Sequence, residues 1–377
     1  MQVCGLITAL SLFVCLGCGG SKVSQPASGS ADSFVPLKDK PFSVAYADFN
    51  SDGRLDAAVA VKYAGIYVYF NREGHLDLSA PLIIRDLIEM PTAVAVGDFN
   101  GDGIQDIAAT SEKFVGVAVN DGSGHFTNSG LHLNAPRYGF NMALADVNHD
   151  GITDIAVVGA MDREVYVYTS RGPLNFELKK VDLTGNAQQA DLFAKTLSVG
   201  DIDNDGYADL IIPETFEPNV WLLRNKGASF SPAVILTTSM EQKVAYAVPL
   251  YYDVPTKTSY IAAVSGTADP KLEVITIGTS GAAAVAQRYR LPAGSPVHID
   301  KISSTGTNNA GRLIITHDTA LSFVSFDRDA ITVSDQIIPL NSKCGGYGIM
   351  SAYNKDIHAS LVVCRNTDGV AVVHLND

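Results

Sequence analysis

Between residues 43 and 86, apolar runs alternate with brief polar breaks: "SVAYADF", "LDAAVAVKY", "GIYVYFN" and, after the turn "REGH", "LDLSAPLII". The third run alternates apolar and polar side chains, as a half-buried strand does. No stretch sustains a 3.6-residue period or a capping box of useful length, so the pattern predicts four short strands joined by tight turns. The same order returns as "VAVGDF", "IAAT", "VGVAVN" and "LHLN", then around "VYVYTSRGPLNFELKKV" and "VWLLRNKGASFSPAVIL". In these three later copies a turn with Gly is followed by Phe, predicted to anchor the outer strand. A four-stranded sheet of this size cannot bury both faces alone. Stacking such sheets about an axis solves the problem, and the closed form is a β-propeller.

The first two strands of each copy flank an acidic string: "DFNSDGRLD", "DFNGDGIQD", "DVNHDGITD" and "DIDNDGYAD", starting at Asp48, Asp98, Asp146 and Asp201. The intervals of 50, 48 and 55 residues make this a repeat period. Beyond Asp201 the apolar–polar–apolar order persists without the acids at Asp253, Asp300 and Tyr353, at intervals of 52, 47 and 53 residues. Four clear and three eroded copies predict an all-β, seven-bladed propeller of four-stranded blades over residues 33–377. The last copy, ending in "GVAVVHLND", has only three strands, whereas "SFVPLKD" near the start has no blade of its own. Ser33 to Leu37 is therefore predicted to supply the outer strand of the last blade, closing the ring and covering an exposed edge.

Within each acidic string, oxygen ligands at positions 1, 3, 5 and 9, with the backbone carbonyl at position 7, suit Ca²⁺, which takes six to eight oxygens. These are Asp48, Asn50, Asp52, Arg54 (carbonyl) and Asp56; Asp98, Asn100, Asp102, Ile104 (carbonyl) and Asp106; Asp146, Asn148, Asp150, Ile152 (carbonyl) and Asp154; and Asp201, Asp203, Asp205, Tyr207 (carbonyl) and Asp209. Gly53 at position 6 allows the sharp turn. An EF-hand is excluded, because position 12 is Val59 and strands flank the loop. The extra carboxylate of the fourth string predicts tighter binding there. Affinities of about 10⁻⁴ M would suit an extracellular module. Formal charge is −13, and the four strings hold thirteen Asp, so about four bound ions would bring it to −5. A chain this acidic is a poor ligand for nucleic acid.

"VCGLITALSLFVCLGC", Val3 to Cys18, is too short for a mature membrane helix and suits a signal peptide, assigned to residues 1–17. A Gly/Ser-rich tether, residues 18–32, follows. The site resembles the lipobox of bacterial lipoproteins, although Cys15 stands where Leu is usual and no Lys or Arg precedes it. The resemblance implies lipidation at Cys18 and anchoring at the cell envelope or surface; simple secretion is the alternative. Membrane contact would then come only through that lipid. Cys344 and Cys364 remain as an even pair, either a disulfide or two buried thiols.

The acidic loops, their spacing and the Gly-then-Phe turns resemble FG-GAP/VCBS repeats, the family that builds the seven-bladed propeller of integrin α-subunits. The resemblance implies calcium in the loop between the first two strands of a blade, where it stiffens the array and does no chemistry. The three C-terminal copies depart from it in lacking ligands. In the family's blade order, second-to-third-strand turns and crossovers gather on the opposite face. Here that implies a partner face containing Tyr63, Phe114, Arg137, Tyr138, Phe140, Arg163 and Phe216, residue types that dominate recognition. No HExxH, GxSxG or phosphate loop occurs, and no catalytic residue is assigned. The expectation is a non-enzymatic adhesion or protein-interaction module for an envelope or extracellular protein. A glycan-binding, lectin-like propeller is the alternative, and a propeller hydrolase or lyase a more distant one.

Overall fold

The computed structural model describes residues 31–183, 194, 196–227, 229–237, 244–265, 269–291, 296–303, 311–317, 320–327, 330–339, 348–354, 359–364 and 369–374. All regular structure among them is β. The strands form consecutive antiparallel sheets in a propeller-like arrangement. The first sheet comprises Pro41–Ala47, Asp56–Val61, Gly65–Tyr69 and Leu82–Ile84. Ala93–Gly97, Asp106–Thr110, Phe114–Asn120 and Phe126–Asn128 form the second, in which Leu133–Asn134 also pairs with the third strand. The third contains Gly139–Ala145, Asp154–Gly159, Glu164–Ser170 and Phe176–Asp182. Ser198–Gly200, Asp209–Pro213, Asn219–Leu223 and Val234–Thr237 form the fourth.

The eroded copies also carry sheets. The fifth is Val244–Asp253, Thr258–Ser265, Lys271–Ile277 and Ala283–Arg290. The sixth is Pro296–Ser303, Gly311–His317, Ala320–Phe326 and Ile331–Pro339. In the seventh, Gly348–Asn354, Ala359–Cys364 and Gly369–His374 are joined by Ala31–Pro36, with Phe34 opposite Ala371. That N-terminal strand starts two residues before the predicted Ser33 and takes Ala31 and Asp32 from the predicted tether. Asp300 and Tyr353 lie within first strands, so neither marks a loop. Cys18 and Cys344 lie outside the described residues, as does the predicted signal peptide.

Second strands explain how the sheets stack. Asp56–Val61 is buried at every residue, and its period of two deals side chains to two different neighbours. Ala58 and Ala60 pack with Val94 and Ile107 of the second sheet. Ala57, Val59 and Val61 face the other way, into a cluster with Val35, Leu37 and Val370. Burial on both faces is why such strands read as continuous apolar runs. Later seams repeat the scheme: Val115 with Ile155, Val165 with Trp221, Val220 with Ile261, and Val264 with Leu313. The first strand, Pro41–Ala47, lies beside both Ala93–Gly97 and Gly348–Asn354.

The outer edges are less regular than the pattern predicts. Only Leu82–Ile84 of "LDLSAPLII" joins the first sheet, because Pro81 has no N–H and Asp77 turns the chain by accepting from the Ser79 amide at 3.2 Å. A small hairpin, Asn71–Arg72 with His75–Leu76, precedes it.

Candidate functional site

Each acidic string is the connection between the first two strands of its sheet, and its nine positions fold alike. Position 6 is left-handed glycine in all four, Gly53, Gly103, Gly151 and Gly206. Position 4 is left-handed too, at Ser51, Gly101, His149 and Asn204, a second reversal the spacing alone does not announce. These reversals turn loop amides inward. Asp48 accepts from the Asp52 and Gly53 amides at 3.1 and 2.7 Å, and Asp98, Asp146 and Asp201 accept equivalent bonds. Position 5 accepts from the amide of position 7, as Asp52 does from Arg54 at 2.9 Å. The Asn50 side-chain oxygen accepts from Asp52 at 3.1 Å.

Position 9 has a second role. Asp56, Asp106, Asp154 and Asp209 are buried, and each carboxylate accepts two backbone N–H groups. One comes from position 2 of its own loop; the other comes from the end of the third strand. For Asp209 these are Ile202 at 2.9 Å and Asn225 at 2.7 Å; for Asp56, Phe49 at 2.9 Å and Asn71 at 2.7 Å. Burial raises the pKa of Asp56, Asp106 and Asp154 to about 6 and that of Asp209 to about 7, against the opposing pull of those hydrogen bonds. Each oxygen retains a lone pair for a cation.

Position 2 joins each loop to the following sheet. Asn120 Nδ2 donates to Phe49 O at 2.9 Å, the Leu174 amide to Phe99 O at 3.0 Å, Asn225 Nδ2 to Val147 O at 2.8 Å, and Ser259 Oγ to Ile202 O at 2.7 Å. The side chains of Phe49 and Phe99 are buried against Phe126 and Phe176, at centroid distances of 5.4 and 6.4 Å. The Phe of each Gly-then-Phe turn in the second and third sheets therefore packs on the preceding acidic loop. His149 stacks on Tyr207 of the next loop at 4.3 Å.

Do the acids fit a cation? In the fourth loop, carboxylate oxygens of Asp201, Asp203 and Asp209 lie within 4.8 Å of one another. Asp203 Oδ1 is buried without a hydrogen-bond partner. A buried, unsatisfied carboxylate oxygen beside two other acids is costly unless a positive charge approaches it, and this donor set fits a hard cation.

Because the strands of each sheet run antiparallel in sequence order, second-to-third turns lie at the opposite end from the acidic loops. There Tyr63, Phe114, Tyr138 and Phe216 are exposed, by 66, 38, 47 and 60% respectively, as are Arg137 and Arg163. Phe140 is half-buried. A cavity of about 310 Å³ brings Tyr138 and Phe140 together with Phe42, Lys62, Met90 and Met161. Tyr63, Phe114, Arg137, Arg163 and Phe216 lie outside its lining. Tyr63, Met90 and Tyr138 are held at φ of 56, 52 and 53°. Each such non-glycine residue costs on the order of 1 kcal/mol, and such strain clusters at functional surfaces. The sequence reading missed Met90 and Met161, isolated methionines with no local signal.

Among the described residues no helix is long and apolar enough to cross a membrane. The model of the FG-GAP-like repeat matches residues 48–109, 98–157 and 150–212. Integrin alpha-PS5 of Drosophila melanogaster is 32% identical over 93 residues, 22% of this chain and 9% of that protein. Integrin alpha-4 of Xenopus laevis is 37% identical over 82 residues, 20% of this chain and 8% of that protein. The chain thus matches less than a tenth of the length of these relatives. The crystal structure of BBS1N in complex with ARL6DN superposes with a TM-score of 0.61 at 10% identity, covering 93% of this chain and 98% of that one, a likeness of fold alone. The four acidic loops lie within the matched span, so residues 48–212 carry FG-GAP-like repeats.

Proposed function

We propose that the chain is a non-enzymatic, calcium-stabilised seven-bladed propeller that binds an extracellular or envelope protein through the face opposite its acidic loops. Closure of the ring is supported by two contacts of the chain's ends. Ala31–Pro36 pairs with Gly369–His374, and Pro41–Ala47 lies against Gly348–Asn354. Export with lipid anchoring at Cys18 is part of the same proposal and rests on the N-terminal sequence.

Calcium would be held by positions 1, 3, 5 and 9 and the position 7 carbonyl of each loop. When bound it supplies charge neutralisation only. The protein's own contribution is mechanical, since position 9 ties the loop to its third strand and position 2 ties it to the next sheet. Binding would stiffen these joints and so keep the opposite face in shape.

The observation that carries the binding reading is the set of exposed aromatics on this face, with Tyr138 at a cavity it shares with Met90 and Met161, in a chain that carries FG-GAP-like repeats. Large exposed aromatic and Met side chains are the material of protein interfaces. The test presents the protein to arrays of extracellular proteins and of glycans, in calcium and in chelator. Capture of a discrete protein that is lost in a Tyr63→Ala/Tyr138→Ala variant supports the reading. Saturable glycan binding lost in the same variant would replace it with a lectin, and protein capture indifferent to both substitutions would move the site elsewhere.

A further inference from the structure

The fourth loop differs from the second and third in having a cation paired with its acids; in the first, the loop's own Arg54 pairs with Asp52 at 2.8 Å. At or just beyond the end of the third strand of each of the first four sheets stands the residue whose amide reaches position 9, namely Asn71, Asn120, Ser170 and Asn225. The next residue is Arg72, Asp121, Arg171 or Lys226. Arg72 turns outward to Asp77 at 3.5 Å, and Arg171 turns to Glu177. Asp121 is itself acidic. Lys226 alone of the four turns into the acidic loop, its Nζ 3.0 Å from Asp203 Oδ2 and 2.9 Å from Asp205 Oδ2. Arg224 Nε approaches the same Asp203 oxygen at 3.7 Å. Among the described residues no ion pair joins the carboxylates of the second and third loops, whose Asp102 and Asp150 instead accept from Asn100 and Asn148 Nδ2 at 2.8 and 3.0 Å.

We propose that Lys226 is a built-in counter-cation of the fourth loop, competing with the divalent ion for Asp203 and Asp205 and making this site weaker than those of the second and third loops. The inference rests on the calcium reading above and reverses the expectation drawn from the extra carboxylate. Four Asp opposed by Lys226 and Arg224 leave a net −2, against −3 for three unopposed Asp in loops two and three. The fourth Asp is thus more than offset. Lys226 is tethered within one residue of Asn225, whose amide is fixed to Asp209, so its ammonium stays near the loop after an ion displaces it. Its side chain is half exposed, which limits the competition to the strength of surface ion pairs. The expected gain in loop-four affinity on removing the charge is about two- to fivefold.

The test is a Tb³⁺ titration of the purified protein, with luminescence excited through tyrosine and reversed by Ca²⁺. Tyr207 is the sole aromatic at position 7 of the four loops. Asp203→Ala identifies the phase that belongs to loop four. That phase should be weaker than those remaining, should tighten about two- to fivefold in both Lys226→Gln and Lys226→Met, and should keep its parental midpoint in Lys226→Arg. Trp221 fluorescence verifies that each variant is folded. A loop-four phase unmoved by either neutral substitution, or already the tightest in the parent, overturns the role of Lys226 and leaves the calcium reading standing. Absence of any saturable phase in parent and variants overturns both.

Discussion

Asn225→Ala tests whether acidic loops are bolted to the following sheet by hydrogen bonds that need no ion. Asn225 is buried; its Nδ2 donates to Val147 O at 2.8 Å, and its Oδ1 accepts from the Gly227 amide at 3.0 Å. Substitution by alanine removes both bonds but leaves the Asn225 amide on Asp209. A typical bond is worth about 1 kcal/mol net, and a buried group left without its partner costs about 1–3 kcal/mol. The Val147 carbonyl sits at the joint between third and fourth sheets, whereas Gly227 lies in a turn nearer solvent. The expected loss is therefore about 2–4 kcal/mol. Asn225→Asp should cost at least as much, because it sets a carboxylate oxygen against the Val147 carbonyl. The assay is urea unfolding in chelator, followed by fluorescence of Trp221. This single tryptophan is buried in the strand that leads into Asn225 and packs in the third-to-fourth seam. A loss below about 0.5 kcal/mol in chelator, where calcium cannot compensate, would refute the bolt.

Other consequences are equally open to measurement. Burial places the pKa of Asp56, Asp106 and Asp154 at about 6 and that of Asp209 at about 7, above the unfolded value of 3.8. The folded chain therefore binds these protons more tightly than the unfolded chain. Their contribution to metal-free stability is complete below about pH 4 and is lost as pH rises through 6 to 7. Thermal unfolding in chelator should show these loops gaining stability from pH 7.5 to 5, while added calcium stabilises less at pH 5 than at 7.5; a calcium effect independent of pH would contradict this. Gly65→Ala should cost about 3 kcal/mol or more by chemical denaturation, because φ is 98° and a Cβ would meet Ile84 O at 2.2 Å; a cost under about 1 kcal/mol would refute the close approach. Tyr63→Gly relieves a strained, exposed residue and should raise stability by up to about 1 kcal/mol while weakening partner capture, and unchanged capture would place the contact elsewhere.

The acidic loops were legible in the sequence because their spaced Asp and Asn residues, their glycine and their flanking strands are all local. So were the second strands, whose unbroken apolar runs record burial on both faces. The apolar residue at position 2 was equally visible, as Phe, Phe, Val and Ile, but its partners lie in the next sheet and cannot be found by spacing. Position 9 reads as a ligand in a string of acids, whereas its burial and its bonds to two strands depend on tertiary contacts. Outer strands were placed least well, since Leu82–Ile84 and the pair Phe126–Asn128 and Leu133–Asn134 depend on Pro81 and on turns rather than on periodicity. Lys226 carries no sequence signal at all: Arg72 and Arg171 occupy the same place in the repeat and point away.

The outer margin of the sheets has a consequence for how such a chain can change. The first sheet carries an extra hairpin at Asn71–Leu76, and the second splits its outer strand in two, yet the seams between second strands keep one scheme. Length can be added or lost at the rim without repacking a seam, because the rim borders solvent along one side. A peptide tag or a small domain placed in the turn at Gly122–Gly124, facing the first acidic loop, would touch Phe70 and Ile104 and disturb a joint. The same insert at Gly130 would start in open space, since nothing lies within 4 Å of an added Cβ there. The molecule therefore offers its periphery as editable ground around a fixed frame.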